Sequence, residues 1–253
     1  MGCNVISHRG ANLVAPQNTI EAFKKSIEIG CTGFETDVHL TKDGVPVICH
    51  NFTIDETSTG KGAIKDMTLE ELRAFDFGKY KGPEFEGVKI PTIDEFLELS
   101  KTMGDDMKVL NIELKSEKFG EAGTELAEKT IEAVKNHGLF DKLLISSFDP
   151  SILVVCKKLD KNCKTGLLYS PDKLIGIKIS KNAVGFAKEI GADALHPMHL
   201  YVNKRYMEKA HKAGIMVNPW TVNKPKTAQN LIDLGVDGII TDNPGMVNMM
   251  LVK

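Results

Sequence analysis

Cysteine is sparse in this 253-residue chain, and its five copies, Cys3, Cys31, Cys49, Cys156 and Cys163, are odd in number, scattered and without a CxxC pair. That spacing excludes a disulfide framework. The five read as small buried hydrophobes in a reducing, cytoplasmic setting, with a reactive thiol among them left open. Net charge is nearly absent as well: a formal value of -2 offers no general surface for polyanions, so nucleic acid is excluded as a partner. No apolar run approaches the roughly 20 residues of a membrane span, and stable membrane insertion is not expected. The N-terminus lacks a charged region followed by an apolar one, so no signal peptide is expected, and Ile6 stands where a myristoylation motif beginning at Met1-Gly2 wants Ser or Thr. Tryptophan occurs once, at Trp220.

What is present suits a globular protein, since 42% hydrophobic and 26% charged residues permit a sizeable core and exclude wholesale disorder. An internal echo gives the architecture. Ile29-Gly30 precedes Gly33-Phe34-Glu35, Ile190-Gly191 precedes Ala194-Leu195-His196, Ala213-Gly214 precedes Ile215-Met216-Val217, and Leu234-Gly235 precedes Gly238-Ile239-Ile240. Each is an amphipathic helix stopped by glycine, which suits the left-handed residue past a helix end, and then a short apolar strand. Helix starts are expected at Asn18 with Glu21, Thr68 with Glu71, Thr92 with Glu95, and Asp149 before Pro150.

Strands are expected at 4–7, 33–40, 109–114, 143–147, 164–168, 194–196, 215–219 and 238–241, with helices between nearly all of them. Eight βα units in one composition regime predict a single α/β domain over 1–253, a TIM (β/α)8 barrel. Asp43-Gly44 marks a turn before an extra strand at 45–50. The departure from regularity is 51–91, with the helix 69–75 and the aromatics Phe52, Phe75, Phe77, Tyr80 and Phe85. It is read as a small subdomain inserted after the second strand, folded over the barrel mouth, with packing on the outside as the alternative.

The chemistry collects where barrel enzymes place it, at strand C-termini. His8-Arg9-Gly10 ends the first strand, Glu35-Thr36-Asp37 the second, His50 the extra one and Glu113-Leu114-Lys115 the third. Side chains alternate along a strand, so Glu35, Asp37 and Glu113 converge on one rim. Three clustered carboxylates repel unless a cation sits among them, and oxygen-only donors suit Mg2+ or Ca2+; ion pairing with Arg9 and Lys115 alone is the competing reading. His8 and His50 can exchange protons near neutral pH, and Arg9 with Lys115 makes a clamp for a phosphoryl group. His196 is a candidate rim residue, Asn18 a helix cap, and Trp220 either a wall against a substrate's carbon skeleton or a core residue.

The ordered set His8-Arg9-Gly10, Pro16-Gln17-Asn18-Thr19 with Ala22-Phe23, Glu35-Thr36-Asp37-Val38, Leu40-Thr41-Lys42-Asp43-Gly44, His50, Glu113-Leu114-Lys115, Trp220-Thr221-Val222-Asn223 and Thr241-Asp242-Asn243-Pro244 resembles the glycerophosphodiester phosphodiesterases along essentially the whole chain. The resemblance implies a TIM barrel with an inserted subdomain and hydrolysis of glycerophosphodiesters to glycerol 3-phosphate and an alcohol. It implies His8 and His50 as general acid and base, Glu35, Asp37 and Glu113 as metal ligands, and Arg9 and Lys115 as phosphate-binding groups. Two positions depart from the family pattern: Gln17 stands where Glu is common, and Asn51 where Asp is common, each keeping shape and hydrogen bonding. The rival readings are a phospholipase acting on intact lipid and a degenerate barrel that binds a phosphodiester without cleaving it. Every assigned charge gathers around the phosphate, so specificity is expected to rest on the glycerophosphate half. Only the 51–91 insertion is left to read the leaving alcohol.

Overall fold

The computed structural model describes residues 2–115, 123–171 and 174–251; Met1 lies outside them. Strand β1 (Asn4–His8) leads through a loop to α1 (Ile20–Ile29), and the same step repeats around the molecule. The barrel strands that follow are β2 (Gly33–Leu40), β4 (Val109–Leu114), β5 (Leu143–Ser147), β6 (Lys164–Tyr169), β7 (Ala194–Pro197), β8 (Met216–Val217) and β9 (Gly238–Thr241). A short strand β3 (Pro46–Ile48) pairs antiparallel with the end of β2. The helices after α1 are α2 (Leu69–Arg73), α3 (Ile93–Lys101), α4 (Thr124–Asn136), α5 (Pro150–Leu159), α6 (Leu174–Ser180), α7 (Ala183–Ile190), α8 (Lys204–Lys212), α9 (Pro225–Asp233) and α10 (Pro244–Leu251).

The barrel strands pair in parallel in the order β8-β7-β6-β5-β4-β2-β1-β9. Backbone hydrogen bonds from Asp237 N to Val217 O (3.0 Å), Ile240 N to Pro219 O (3.1 Å) and Val222 N to Ile240 O (3.0 Å) bring the last segment back onto β9 and close the ring. Strand β8 is shorter than the expected 215–219, because Pro219 has no N–H to give a ladder and Ile215 N is spent on Ala210 O at the end of α8.

Alternation divides the strands. Val5, Phe34, Val38, Leu110, Ile112, Ile145, Leu167, Leu195 and Val217 face outward and pack with the inner faces of the helices. Phe23 of α1, Phe34 of β2 and Phe96 of α3 form a tilted aromatic trio there, with centroids 4.6–5.8 Å apart. The residues between them face the barrel interior, and these are the chemistry-bearing ones. A separate small core of Val47, Cys49, Ile54, Ile64, Leu72, Phe77 and Ile90 underlies the segment after β3. Thr68 and Thr92 close capping boxes with Glu71 and Glu95, and Asp149 caps α5 with Pro150 at its first position.

Among the described residues no helix is long and apolar enough to cross a membrane. All five cysteines are free, and four are buried.

Candidate active site

The register of the sheet sets His8 beside Glu35 and Asp37 beside Glu113. Just past β1 the backbone turns through two left-handed residues, Arg9 (φ 58°) and Gly10 (φ 80°). Only glycine fits the second, since a Cβ at Gly10 would stand 2.6 Å from Ala22 Cβ. The turn aims Arg9 N at Glu35, to the backbone oxygen at 2.9 Å and to Oε2 at 3.1 Å.

His8 Nδ1 lies 2.6 Å from Asp242 Oδ1. An ionised carboxylate only accepts, so the proton sits on Nδ1 and the Nε2 lone pair faces the cavity. Asp242 follows β9 and is itself held by Asn12 Nδ2 (2.7 Å) and Asn223 Nδ2 (2.5 Å). His50 is held differently: Nδ1 donates to Asn51 Oδ1 (2.7 Å), whose Nδ2 donates to Glu56 Oε2 (2.7 Å). Burial lowers the pKa of His8 against the opposing pull of Asp242, and it lowers that of His50 to about 4 against the pull of Asp37. Both rings are therefore neutral at pH 7 and offer Nε2 as a proton acceptor.

One ligand oxygen each from Glu35, Asp37 and Glu113 lies within 4.8 Å of the other two, all three side chains being buried. Lys115 Nζ stands 2.8 Å from Asp37 Oδ1 and 2.7 Å from Glu113 Oε1, and Arg9 Nε is 3.4 Å from Asp37 Oδ2. Arg9 Nη1 also donates to Gln17 Oε1 at 2.7 Å. Burial works to raise Asp37, but Lys115 and Arg9 outweigh it and hold this carboxyl far below its usual range. Burial and the charges of Asp37 and Glu113 push Glu35 well above its ordinary value, and burial raises Glu113 against the pull of Lys115. The cluster thus stays short of positive charge even with both cations beside it.

These groups open into a cavity of about 730 Å³ lined by His8, Arg9, Glu35, His50, Glu113 and Lys115. Ser147, Phe148, Leu168, Ser170 and Trp220 form one wall of it. Trp220 donates from Nε1 to His196 O (2.7 Å) and meets Phe148 edge to face, with centroids 5.6 Å apart. Asn51, Phe52, Thr53 and Glu56 form another wall.

Two expectations need correction. His196 is no rim residue: it is fully buried in the barrel, accepts from Asn218 Nδ2 at 3.2 Å, and is held neutral by burial with a pKa near 3. Gly166 on β6 makes room for it, since a Cβ there would stand 2.7 Å from its Nε2. Asn18 does not cap α1. That part falls to Thr19, whose hydroxyl accepts from Ala22 N, while Asn18, left-handed at φ 56°, accepts from Thr36 Oγ1 (2.9 Å) and donates to Asp37 Oδ2 (2.8 Å). Sequence reasoning assigned no role to Asp242 and Asn223, although both stand in motifs that carry the resemblance, nor to Asn12, Phe148, Glu56 and Asn111. Asn111 lines the cavity with 1% exposure and, among the described residues, no hydrogen-bond partner for either amide atom.

A closed parallel barrel whose acids, histidines and cations gather at the C-terminal ends of its strands is an enzyme of the TIM-barrel class. The model of the glycerophosphoryl diester phosphodiesterase family matches residues 8–246. A curated glycerophosphodiester phosphodiesterase from Caldanaerobacter subterraneus subsp. tengcongensis is 40% identical over 240 residues, which are 95% of this chain and 94% of that one. A phosphodiesterase from Oleispira antarctica, solved in complex with the product sn-glycerol-3-phosphate, superposes with a TM-score of 0.87 at 29% identity, covering 99% of this chain and 97% of that one. The glycerophosphodiester phosphodiesterase from Thermotoga maritima superposes with a TM-score of 0.75 at 28% identity, covering 100% and 99%. The chain belongs to the glycerophosphoryl diester phosphodiesterase family.

Proposed function

We propose that this chain hydrolyses glycerophosphodiesters to glycerol 3-phosphate and an alcohol, with His8 and His50 exchanging protons and a divalent cation held by Glu35, Asp37 and Glu113. The observation that carries the reading is a cavity lined by both histidines and by Glu35 and Glu113, with Asp37 clustered against these two carboxylates behind it. The donor set fits a cation: it is oxygen-only and buried, and the raised Glu35 and Glu113 carboxyls mark a site that positive charge would relieve. Bound there, Mg2+ or Ca2+ would draw charge from the non-bridging oxygens of the phosphate.

The rest of the work falls to the chain's own groups. Lys115 donates one N–H to Glu113 and its ammonium is ion-paired with Asp37, and Arg9 is fixed by Asp37 and Gln17, so the remaining donors of both meet the phosphate without reorganising. A phosphodiester anion between the two imidazoles favours their charged forms, and one ring enters the step protonated at Nε2. The neutral ring takes a proton from the attacking hydroxyl at its Nε2, while the protonated ring gives one to the leaving alcohol. Trp220 and Phe148 offer an apolar wall to the three-carbon skeleton of the glycerol. The segment 51–91, with its own small core, acts as a subdomain over the barrel mouth, and Tyr80 of this segment accepts Gln17 N at its hydroxyl, 2.9 Å away.

Incubation of purified protein with glycerophosphocholine and, separately, with intact phospholipid, each with and without Mg2+ or Ca2+, tests the reading. Glycerol 3-phosphate is expected from the first substrate only, and cleavage of the intact lipid alone would replace this reading with the phospholipase one.

A further inference from the structure

The cavity has a wall that the proposed chemistry uses only through Asn51, the support of His50. Asn51, Phe52, Thr53 and Glu56 line it on the side supplied by the segment after β3. Phe52 is held edge to face against the buried His39, with centroids 5.0 Å apart at 80°, yet it stays 39% exposed. Glu56 is exposed, and one of its oxygens accepts from Asn51. Among the described lining residues the only cations are Arg9 and Lys115, and both are paired with the central carboxylates. This wall therefore combines an aromatic ring and a carboxylate with no cation of its own.

With the glycerol against Trp220 and Phe148, the leaving alcohol falls to the Phe52–Glu56 wall. We infer that Phe52 and Glu56 form a subsite for a cationic amino alcohol, so that diesters of choline and ethanolamine are preferred over those of neutral polyols such as inositol. The inference rests on the phosphodiesterase reading and deepens it. An ammonium beside an aromatic ring is attracted by the ring's quadrupole, and a quaternary ammonium, which cannot donate a hydrogen bond, is still drawn to a carboxylate by charge. A polyol gains neither.

The test is kcat/KM for glycerophosphocholine and glycerophosphoinositol in the wild type, Glu56→Gln and Phe52→Leu, both positions being exposed. Glu56→Gln keeps an acceptor for Asn51 Nδ2, so the support of His50 survives the change. The wild type is expected to favour the choline diester by about 10-fold; Phe52→Leu is expected to lose about 3- to 10-fold on that diester while staying within about twofold on the inositol one, and Glu56→Gln to lose about 3- to 10-fold in the ratio of the two. A wild-type ratio near one would overturn the inference and leave the hydrolase reading standing. So would an equal loss on both diesters in Glu56→Gln, which would make Glu56 a positioning residue for His50 only. Hydrolysis of neither diester would overturn both readings.

Discussion

His8 leans on a carboxylate, Asp242 at 2.6 Å, whereas His50 leans on an amide, Asn51 at 2.7 Å. The two supports set different responses to substitution. Asp242→Asn replaces an acceptor-only carboxylate with an amide that can also present its Nδ2 to the ring, so the proton is no longer fixed on His8 Nδ1, and a loss of about 10²- to 10⁴-fold in kcat is expected, by the logic of a carboxylate that holds a catalytic imidazole in one tautomer. An unchanged kcat would take Asp242 out of the mechanism. Asn51→Asp does the reverse for His50. A carboxylate beside the ring favours its charged form, so the His50 pKa rises from about 4 and the acid limb of the pH–rate profile moves to higher pH. A profile that stays put would show that His50 does not titrate in the rate. The sequence displayed both histidines, because each ends an apolar run. It concealed the partnership of His8 with Asp242, which is 234 positions away and comes beside it only because β1 pairs with β9. Asn18 and Thr19 are both good caps, and nothing in their order says which one turns left-handed toward Asp37.

The site depends on elements whose close approaches leave little room. Gly10 lets the end of β1 lie against α1, and Gly166 lets β6 pass the ring of His196. Gly10→Ala must both accept a left-handed φ and push Ala22 aside, so a loss of about 2–4 kcal/mol is expected in equilibrium urea unfolding, with a larger proportional loss of activity because Arg9 moves with the turn. A loss below about 0.5 kcal/mol would mean that the turn relaxes freely. Caps and glycine stops made most helices and strands legible, as at Thr68, Thr92 and Asp149. Strand β8 was overdrawn because Ile215 and Pro219 look apolar enough for a strand, while the hydrogen bonds available to them are a property of their neighbours. The insertion showed its aromatics in sequence, but that Phe52 and Glu56 both line the cavity required the fold.

The whole barrel was foreseeable from eight repeats of one βα unit, and its polar interior was not. Buried His196 and His39 have pKa values near 3 and 4, lowered by burial in both and by Lys115 in His39, whereas an unfolded chain holds histidine near its ordinary 6.5. Below pH 6.5 the unfolded state binds protons that the folded state refuses, so these groups contribute stability that is full above that pH and is lost as pH falls toward 4 and then 3. The depressed Asp37 adds a slope of the same sign only below its ordinary 3.8, and the raised Glu35 and Glu113 oppose the histidines above their own ordinary values. For His196 alone the contribution is on the order of 5 kcal/mol. The Tm is expected to fall steeply between pH 6.5 and 4, and His196→Gln to flatten that fall. An unaltered slope in the variant would contradict the neutral, buried state of His196.

The central claim is that the two histidines and the three carboxylates act together on a phosphodiester. The most direct measurement is steady-state release of glycerol 3-phosphate from glycerophosphocholine by the wild type, His8→Ala and His50→Ala, first in excess chelator and then with Mg2+ or Ca2+ restored. The account predicts no release under chelation, recovery on adding the cation, and a loss of about 10²- to 10⁴-fold in each variant with the fold intact. Full activity in chelator with no co-purifying metal, or a wild-type rate in either variant, would contradict it.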